Sequence, residues 1–379
     1  MYTLHQYSRM IGDRVRTEAY RRALEHSIVP DESVVLDIGA GTGILAMFAA
    51  RAGARKVYAV DPSPCIQVAR EVSAANGFGD RIEFIPRDSR DVTLERKADV
   101  IVSDLRGILP LCGTNTVVLA DARRRHLAPG GLLIPERDVL WMTPAESAEV
   151  YDEIADPWKG NTCGFDWTLA REKLLNTWIA DVRPIRKLAP PQACFEVDYN
   201  NLAGSNFSAE PRFRVAAEGT LHGLVLWFET RLAGGIGFSA GPDSPETIYK
   251  RGFFPLENAV RVAPGDSIEV RLSAHLVEDE YVWRWQTRVV SPSGAEMSVG
   301  DQSTYLAELI PIEALRRKRS DHVPQLTADG EAARLALSIM DGHAPIEEIA
   351  GRLQRSFPNR FPADRAAFEF VVGLAGRFY

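Results

Sequence analysis

Up to about residue 140 the chain alternates short, largely apolar runs with amphipathic stretches. Val34–Ile38, Lys56–Val60, Ile82–Ile85, Val100–Val102 and Leu132–Ile134 read as buried strands, with helices at Ile44–Ala54, Ser63–Asn76 and Asn115–Leu127 between them. Strands that are apolar on both faces and separated by helices predict a parallel sheet covered on both sides. From 141 to about 310 the pattern turns extended. Phe213–Val215, Gly223–Thr230, Ser267–Ala274 and Tyr281–Val290 are rich in aromatic and β-branched residues, with turns such as Ala263-Pro264-Gly265-Asp266 between them. This predicts an antiparallel sandwich or barrel, preceded by a helical insertion around Trp167–Trp178. The basic run Arg316-Arg317-Lys318-Arg319, followed by Pro324, reads as a solvated helix end and linker. Beyond it three helical stripes return: Ala332, Leu335, Ala336, Ile339; then Ile346, Ile349, Ala350, Leu353; then Ala367, Phe370, Val371, Leu374.

Composition narrows the classes. A chain of 379 residues predicts two or three domains. With 25% charged and 45% apolar residues it is neither disordered nor fibrous. The 44 basic residues against 51 acidic ones leave a net charge of −7, which argues against wrapping nucleic acid by bulk charge. No apolar run reaches the roughly 18 residues of a spanning helix, and Met1–Gln6 lacks the layout of a secretion signal. Cys65, Cys112, Cys163 and Cys194 have no paired spacing, which suits reduced thiols in a cytoplasmic protein better than a disulfide framework or a metal site.

The most informative stretch is Val34-Val35-Leu36-Asp37-Ile38-Gly39-Ala40-Gly41-Thr42-Gly43-Ile44-Leu45. A buried strand runs into three alternate glycines, and a helix follows. Glycines permit φ > 0 and let a ligand approach the backbone, and strand ends at a switch point of an α/β sheet are where such ligands sit. Ile44 stands where the dinucleotide fingerprint needs its third glycine. The next strand ends at Asp61, 24 positions after Asp37, where an acid can accept both hydroxyls of a ribose.

These residues resemble the class I S-adenosylmethionine-dependent methyltransferases and, more narrowly, the protein arginine methyltransferase family. Further matches are Met47–Ala50, Ala52–Val57, Leu127–Gly131 with Ile134-Pro135, Gly164–Asp166, Gly237–Ser239 with Ser244-Pro245, and Phe254–Leu256. The resemblance covers about residues 10–310. It implies a Rossmann-like cofactor fold (1–140), then a β-barrel (141–310) with a helical arm near 166–190 that makes a homodimer.

By the same resemblance, Met10-Ile11 through Tyr20-Arg21 match the family's N-terminal helix, which closes over the cofactor. Arg16 would pair with the cofactor carboxylate as a bidentate fork, and Met10 would lie near the donor methyl. Asp37, Gly39, Gly41 and Asp61 form the cradle. Asp88, Ser89 and Arg90 follow the third strand, where the adenine rests. Asp61 stands in place of a family Glu, and Arg90 in place of another. After the fourth strand the family carries two glutamates that grip a guanidinium. Here those positions are Asp104 and Gly113, with Arg106 between them. The barrel's Thr-His-Trp signature reads Thr247-Ile248-Tyr249 and runs on into Lys250-Arg251. Asp104 is the candidate catalytic residue, to orient or deprotonate the acceptor. Arg106 and Lys250 are candidates to hold an acceptor carboxylate. His222 and His275 read as strand-surface histidines.

Residues 311–379 resemble the PqqD-like domain, the leader-recognition element of ribosomal peptide modification pathways. That implies a small winged helix to whose sheet edge a leader peptide adds a strand. Together the resemblances imply a methyltransferase acting on a tethered precursor peptide. The alternatives are a protein arginine N-methyltransferase and a catalytically silent adaptor that binds cofactor and peptide.

Overall fold

The computed structural model describes residues 3–158 and 162–378; Met1 and Tyr2 of the N-terminal reading lie outside them. Helices α1 (Leu4–Gly12) and α2 (Arg14–Ser27) precede the first strand. Thr3 and Gln6 close a reciprocal capping box on α1, and Asp13 caps α2 through the Arg16 amide. Strands β1 (Val34–Ile38), β2 (Lys56–Val60), β3 (Ile82–Ile85), β4 (Ala98–Ser103) and β5 (Leu127–Ile134) alternate with helices α3 (Ile44–Arg51), α4 (Cys65–Ala75) and α5 (Asn115–Arg125). The strands lie in the order β3-β2-β1-β4-β5, every pair parallel. β1 is central and buried along its whole length, as expected of a strand covered on both faces. β5 begins five residues earlier than its apolar core suggested, because Leu127 pairs with Ala98 across the Gly130-Gly131 irregularity.

The second half is built of two antiparallel sheets. One has the long strand Gly219–Ala233 between Arg137–Glu146 and Arg251–Val262; the other runs through Ser267–Val277, Glu280–Val290 and Glu296–Ser303. The boundary near 140 separates sheets rather than cores. Leu36, Ile38 and Leu119 belong to the same buried cluster as Leu140, Leu226, Phe254 and Trp285, so Met1–Glu308 is one compact unit. The insertion forms the helix Thr168–Leu175, and Leu175 packs with Val150, Tyr151 and Ile154 over the sheet residues Val225, Trp227 and Phe253.

Leu309–Tyr379 forms a second unit. Its helices Ala328–Ile339, Ile346–Ser356 and Asp364–Phe378 bury the three stripes read from the sequence in one cluster around Leu353, Phe361 and Val371. Among the described residues of this unit there is no strand, so the sheet edge that a leader peptide would extend has no counterpart there. No helix among the described residues is long and apolar enough to cross a membrane.

Candidate active site

The chain turns at the end of β1 on glycines whose φ values are positive: +74° at Gly39, +54° at Gly41 and +83° at Gly43, which starts α3. Only glycine takes this conformation without strain. The Asp61 carboxylate, at the end of β2, accepts the Gly41 amide at 2.7 Å and the Ser63 amide at 2.7 Å. The acid and the loop therefore form one unit. A Cβ on Gly41 would come within 2.4 Å of the Tyr7 ring of α1, and one on Gly39 within 2.4 Å of Leu105. Helix α1 thus lies directly over the loop.

Asp37 is fully buried beneath, and neither carboxyl oxygen has a well-formed hydrogen bond. Burial lifts its pKa to about 7, partly opposed by the Ala46 amide and slightly reinforced by the charge of Asp61. An unpaired buried carboxyl costs free energy unless something answers it. A left-handed glycine cradle, an acid on the adjacent strand and this orphaned carboxyl fit a nucleoside-bearing ligand such as S-adenosylmethionine.

Asp88, Ser89 and Arg90 sit after β3, but they do not converge on one point. Asp88 caps the short turn that follows and pairs with Arg90 at 2.9 Å, so Arg90 lies exposed and folded back on its neighbour. Ser89 is buried, and its carbonyl accepts from Arg125 and His126. Met10 is half-buried at the end of α1; its carbonyl receives Arg16 Nη1 and Thr17 Oγ1, each at 3.4 Å.

A second cluster stands beyond β4. Arg16 donates through Nε to Asp104 at 2.5 Å, with both side chains buried. The Tyr249 hydroxyl donates to the same carboxylate at 2.6 and 2.7 Å. Burial alone would raise the Asp104 pKa, but Arg16, Arg106 and Tyr249 outweigh it and hold it below the usual carboxylate range. Asp104 is therefore a standing anion, better suited to orienting a cation than to taking a proton.

Arg106 is not the free cation that the sequence suggested. All five of its N–H groups are engaged inside the protein. Nε meets Asp104 at 3.2 Å; Nη1 meets Asp138 and Thr230, both at 2.8 Å; Nη2 meets the Tyr20 hydroxyl at 2.6 Å and Asp104 at 3.2 Å. Its guanidinium carbon also lies 5.1–5.8 Å from the ring centres of Phe228, Tyr249, Phe238 and Tyr20. Burial works against its charge, and Asp138, Tyr20, Tyr249 and Asp104 more than compensate. No further donor remains for an acceptor carboxylate.

Asp138 was not singled out by sequence reading, although it carried a signal. It shares the inward face of its strand with Leu140 and Met142 and is fully buried; an acid at such a position needs a cation. Gly113, the other expected acid position, is a bare left-handed turn residue with φ +48°. Lys250 lies on an outer cleft of about 400 Å³ with Arg9, Asp13, Glu246 and Thr247, and the Asp13 carboxylate clamps the Ile248 amide at 2.8 Å. His222 is buried rather than on the strand surface, and its Nδ1 accepts the Ser147 amide at 3.2 Å.

Comparison with known proteins agrees with this layout. Residues 12–134 match the family "Ribosomal protein L11 methyltransferase (PrmA)", and residues 137–284 match "Arginine methyltransferase oligomerization subdomain". The chain is 31% identical over 270 residues to protein arginine N-methyltransferase 1 of Dictyostelium discoideum, covering 69% of this chain and 79% of the relative. It is also 31% identical over 281 residues to protein arginine N-methyltransferase 1 of Saccharomyces cerevisiae, covering 72% and 80%. Among solved structures, the Trypanosoma brucei PRMT1 enzyme-prozyme heterotetrameric complex with AdoHcy superposes with a TM-score of 0.72 at 26% identity, over 80% of this chain and 98% of that one. Identity at this level along most of both relatives, on a shared fold, makes this chain a member of the protein arginine N-methyltransferase family and an S-adenosylmethionine-dependent methyltransferase.

Proposed function

We propose that the chain transfers a methyl group to a guanidinium nitrogen of a protein or peptide arginine. The observation that carries this reading is the Asp104 carboxylate. It is buried, ionised and set between Arg16 and a cage of Tyr20, Phe228, Phe238 and Tyr249 that already holds a guanidinium. Such a cage suits a planar cation by charge, hydrogen bonding and ring faces together.

S-adenosylmethionine supplies an electrophilic methyl group on a sulfonium. The residues do the rest. Gly39 and Gly41 admit the ligand to the backbone, Asp61 accepts from the ribose, Asp37 answers from beneath, and Asp88 with Ser89 borders the adenine. Arg16, held by Asp104, presents its remaining edge to the cofactor carboxylate, which couples cofactor binding to the acceptor side. Met10 and Tyr7 of α1 exclude water above the loop. Asp104 orients the acceptor nitrogen, so that most of the rate enhancement comes from alignment, and the proton that this nitrogen gives up on methylation is lost to solvent. We assign dimerisation to the arm near 166–190, where Phe165 and Leu169 are 65% and 71% exposed.

The test is incubation of the protein and methyl-labelled S-adenosylmethionine with arginine-containing peptides, followed by hydrolysis and amino-acid analysis. Labelled methylarginine is expected. Label on any other residue, or cofactor binding without transfer to any peptide, overturns the reading. A second reading, a precursor-peptide methyltransferase with its leader on the C-terminal unit, uses the same cofactor site. It is favoured only by that unit's separate three-helix core.

A further inference from the structure

The cage described above has everything needed to bind a substrate guanidinium, yet the chain's own guanidinium fills it. Two carboxylates face Arg106, from elements far apart in sequence: Asp104 after β4 and Asp138 on the strand Arg137–Glu146. Tyr20 from α2, Thr230 and Phe228 from the long central strand, and Phe238 and Tyr249 beyond it complete the walls. These groups converge on a single planar cation, and all of them would serve an arginine arriving from outside equally well.

Arg106 reaches the cage from a loop. Residues 104–114 form neither helix nor strand, and the segment folds on itself, since a Cβ on Gly107 would touch Cys112 Sγ at 2.8 Å. Leu109 and Leu111 anchor this loop in the main core, so what can leave the cage is the Arg106 side chain. Apart from Asp104, which shares the loop, the walls belong to a helix or a packed sheet or are tied to one through Asp13 and Ile248.

We propose that Arg106 is a resident occupant of the acceptor guanidinium site, a specificity-determining side chain that an incoming arginine must displace to reach Asp104 and Asp138. This rests on the arginine-methyltransferase reading. A site open for only a fraction of the time binds its ligand more weakly by that fraction. With roughly a tenth of the molecules open, removing the occupant should raise apparent peptide affinity about tenfold.

The experiment uses the full chain with Arg106→Ala and n-propylguanidinium as the probe, with n-propylamine as the control cation. Calorimetric titration should show propylguanidinium binding to Arg106→Ala at millimolar concentration and raising its melting temperature. Propylamine should do neither, and the wild type should bind propylguanidinium about tenfold more weakly than the variant. Equal responses of wild type and variant, or none from either, overturn the proposal. If Arg106→Ala does not fold, Arg106→Gln keeps polar contacts to the two acids in a smaller side chain and is tested in the same way.

Turnover separates this inference from the proposed function. Arg106→Met should lower KM for an arginine peptide about tenfold while changing kcat much less. Propylguanidinium binding to the variant with no methylarginine from any form would sink the proposed function and leave the cage assignment standing. Methylarginine from the wild type with the same KM as Arg106→Met would do the reverse.

Discussion

Asp37 and Asp104 are both buried carboxyls, and their surroundings push them in opposite directions. Asp37 has no partner that fully answers its charge, so the folded protein prefers it protonated up to about pH 7. The folded state therefore binds more protons than the unfolded chain between about pH 4 and 7, and this residue's contribution to stability falls as pH rises through that window. Asp37→Asn should flatten the loss; thermal melts of both proteins across pH 5 to 8 without cofactor would show it, and parallel curves would refute it. Asp104 is held below the usual carboxylate range by its cations. What it contributes is present at neutral pH and is lost only as pH falls through its depressed pKa. Asp104→Asn should reduce kcat by roughly two orders of magnitude, with a smaller fall in cofactor affinity by calorimetry because Arg16 loses its charged partner. Gly41→Val should abolish that affinity. The backbone there is left-handed at φ +54°, and the new side chain would meet Tyr7.

At the scale of elements, the junction of α1 and α2 does more than connect two helices. Asp13 caps α2 through one carboxylate oxygen and holds the Ile248 amide with the other. It thus joins the segment that covers the glycine loop to the turn that carries Tyr249. Asp13→Ala should cost about 1 kcal/mol as a lost cap. It should also raise KM for the cofactor, because α1 loses its fixed position above Gly41. Thermal denaturation and initial-rate kinetics would measure the two effects, and an unchanged KM would argue against the lid role of α1. The strand Arg137–Glu146 likewise works as an element. Its alternation places Asp138 inward two residues before Leu140, and a register slip of one would expose the acid.

At the scale of the whole molecule, the first 308 residues bury one continuous core that spans both halves, and the C-terminal helices bury their own. The first unit should therefore unfold as one cooperative body rather than as two domains. The arm Thr168–Leu175 leaves apolar side chains in solvent beside Phe165, as an interface would. Leu169→Glu should shift the protein toward monomer in sedimentation velocity, and a monomeric wild type would remove the dimer assignment.

Much of this was legible before any coordinates. The strands from Val34 to Ile85, the glycine loop, Asp61 and the stripes of the last three helices are local patterns, set by period, turn chemistry and burial over a few neighbouring residues. Arg16 and Asp104 were named because a short motif placed them, and their meeting at 2.5 Å follows from the fold. The fate of Arg106 could not be read in the same way. Whether a buried guanidinium is free or satisfied depends on Asp138, Thr230, Tyr20 and Tyr249, which lie up to 143 residues away in the chain. Charge pairing at that separation depends on which faces the sheets present to one another, and only the tertiary structure decides that.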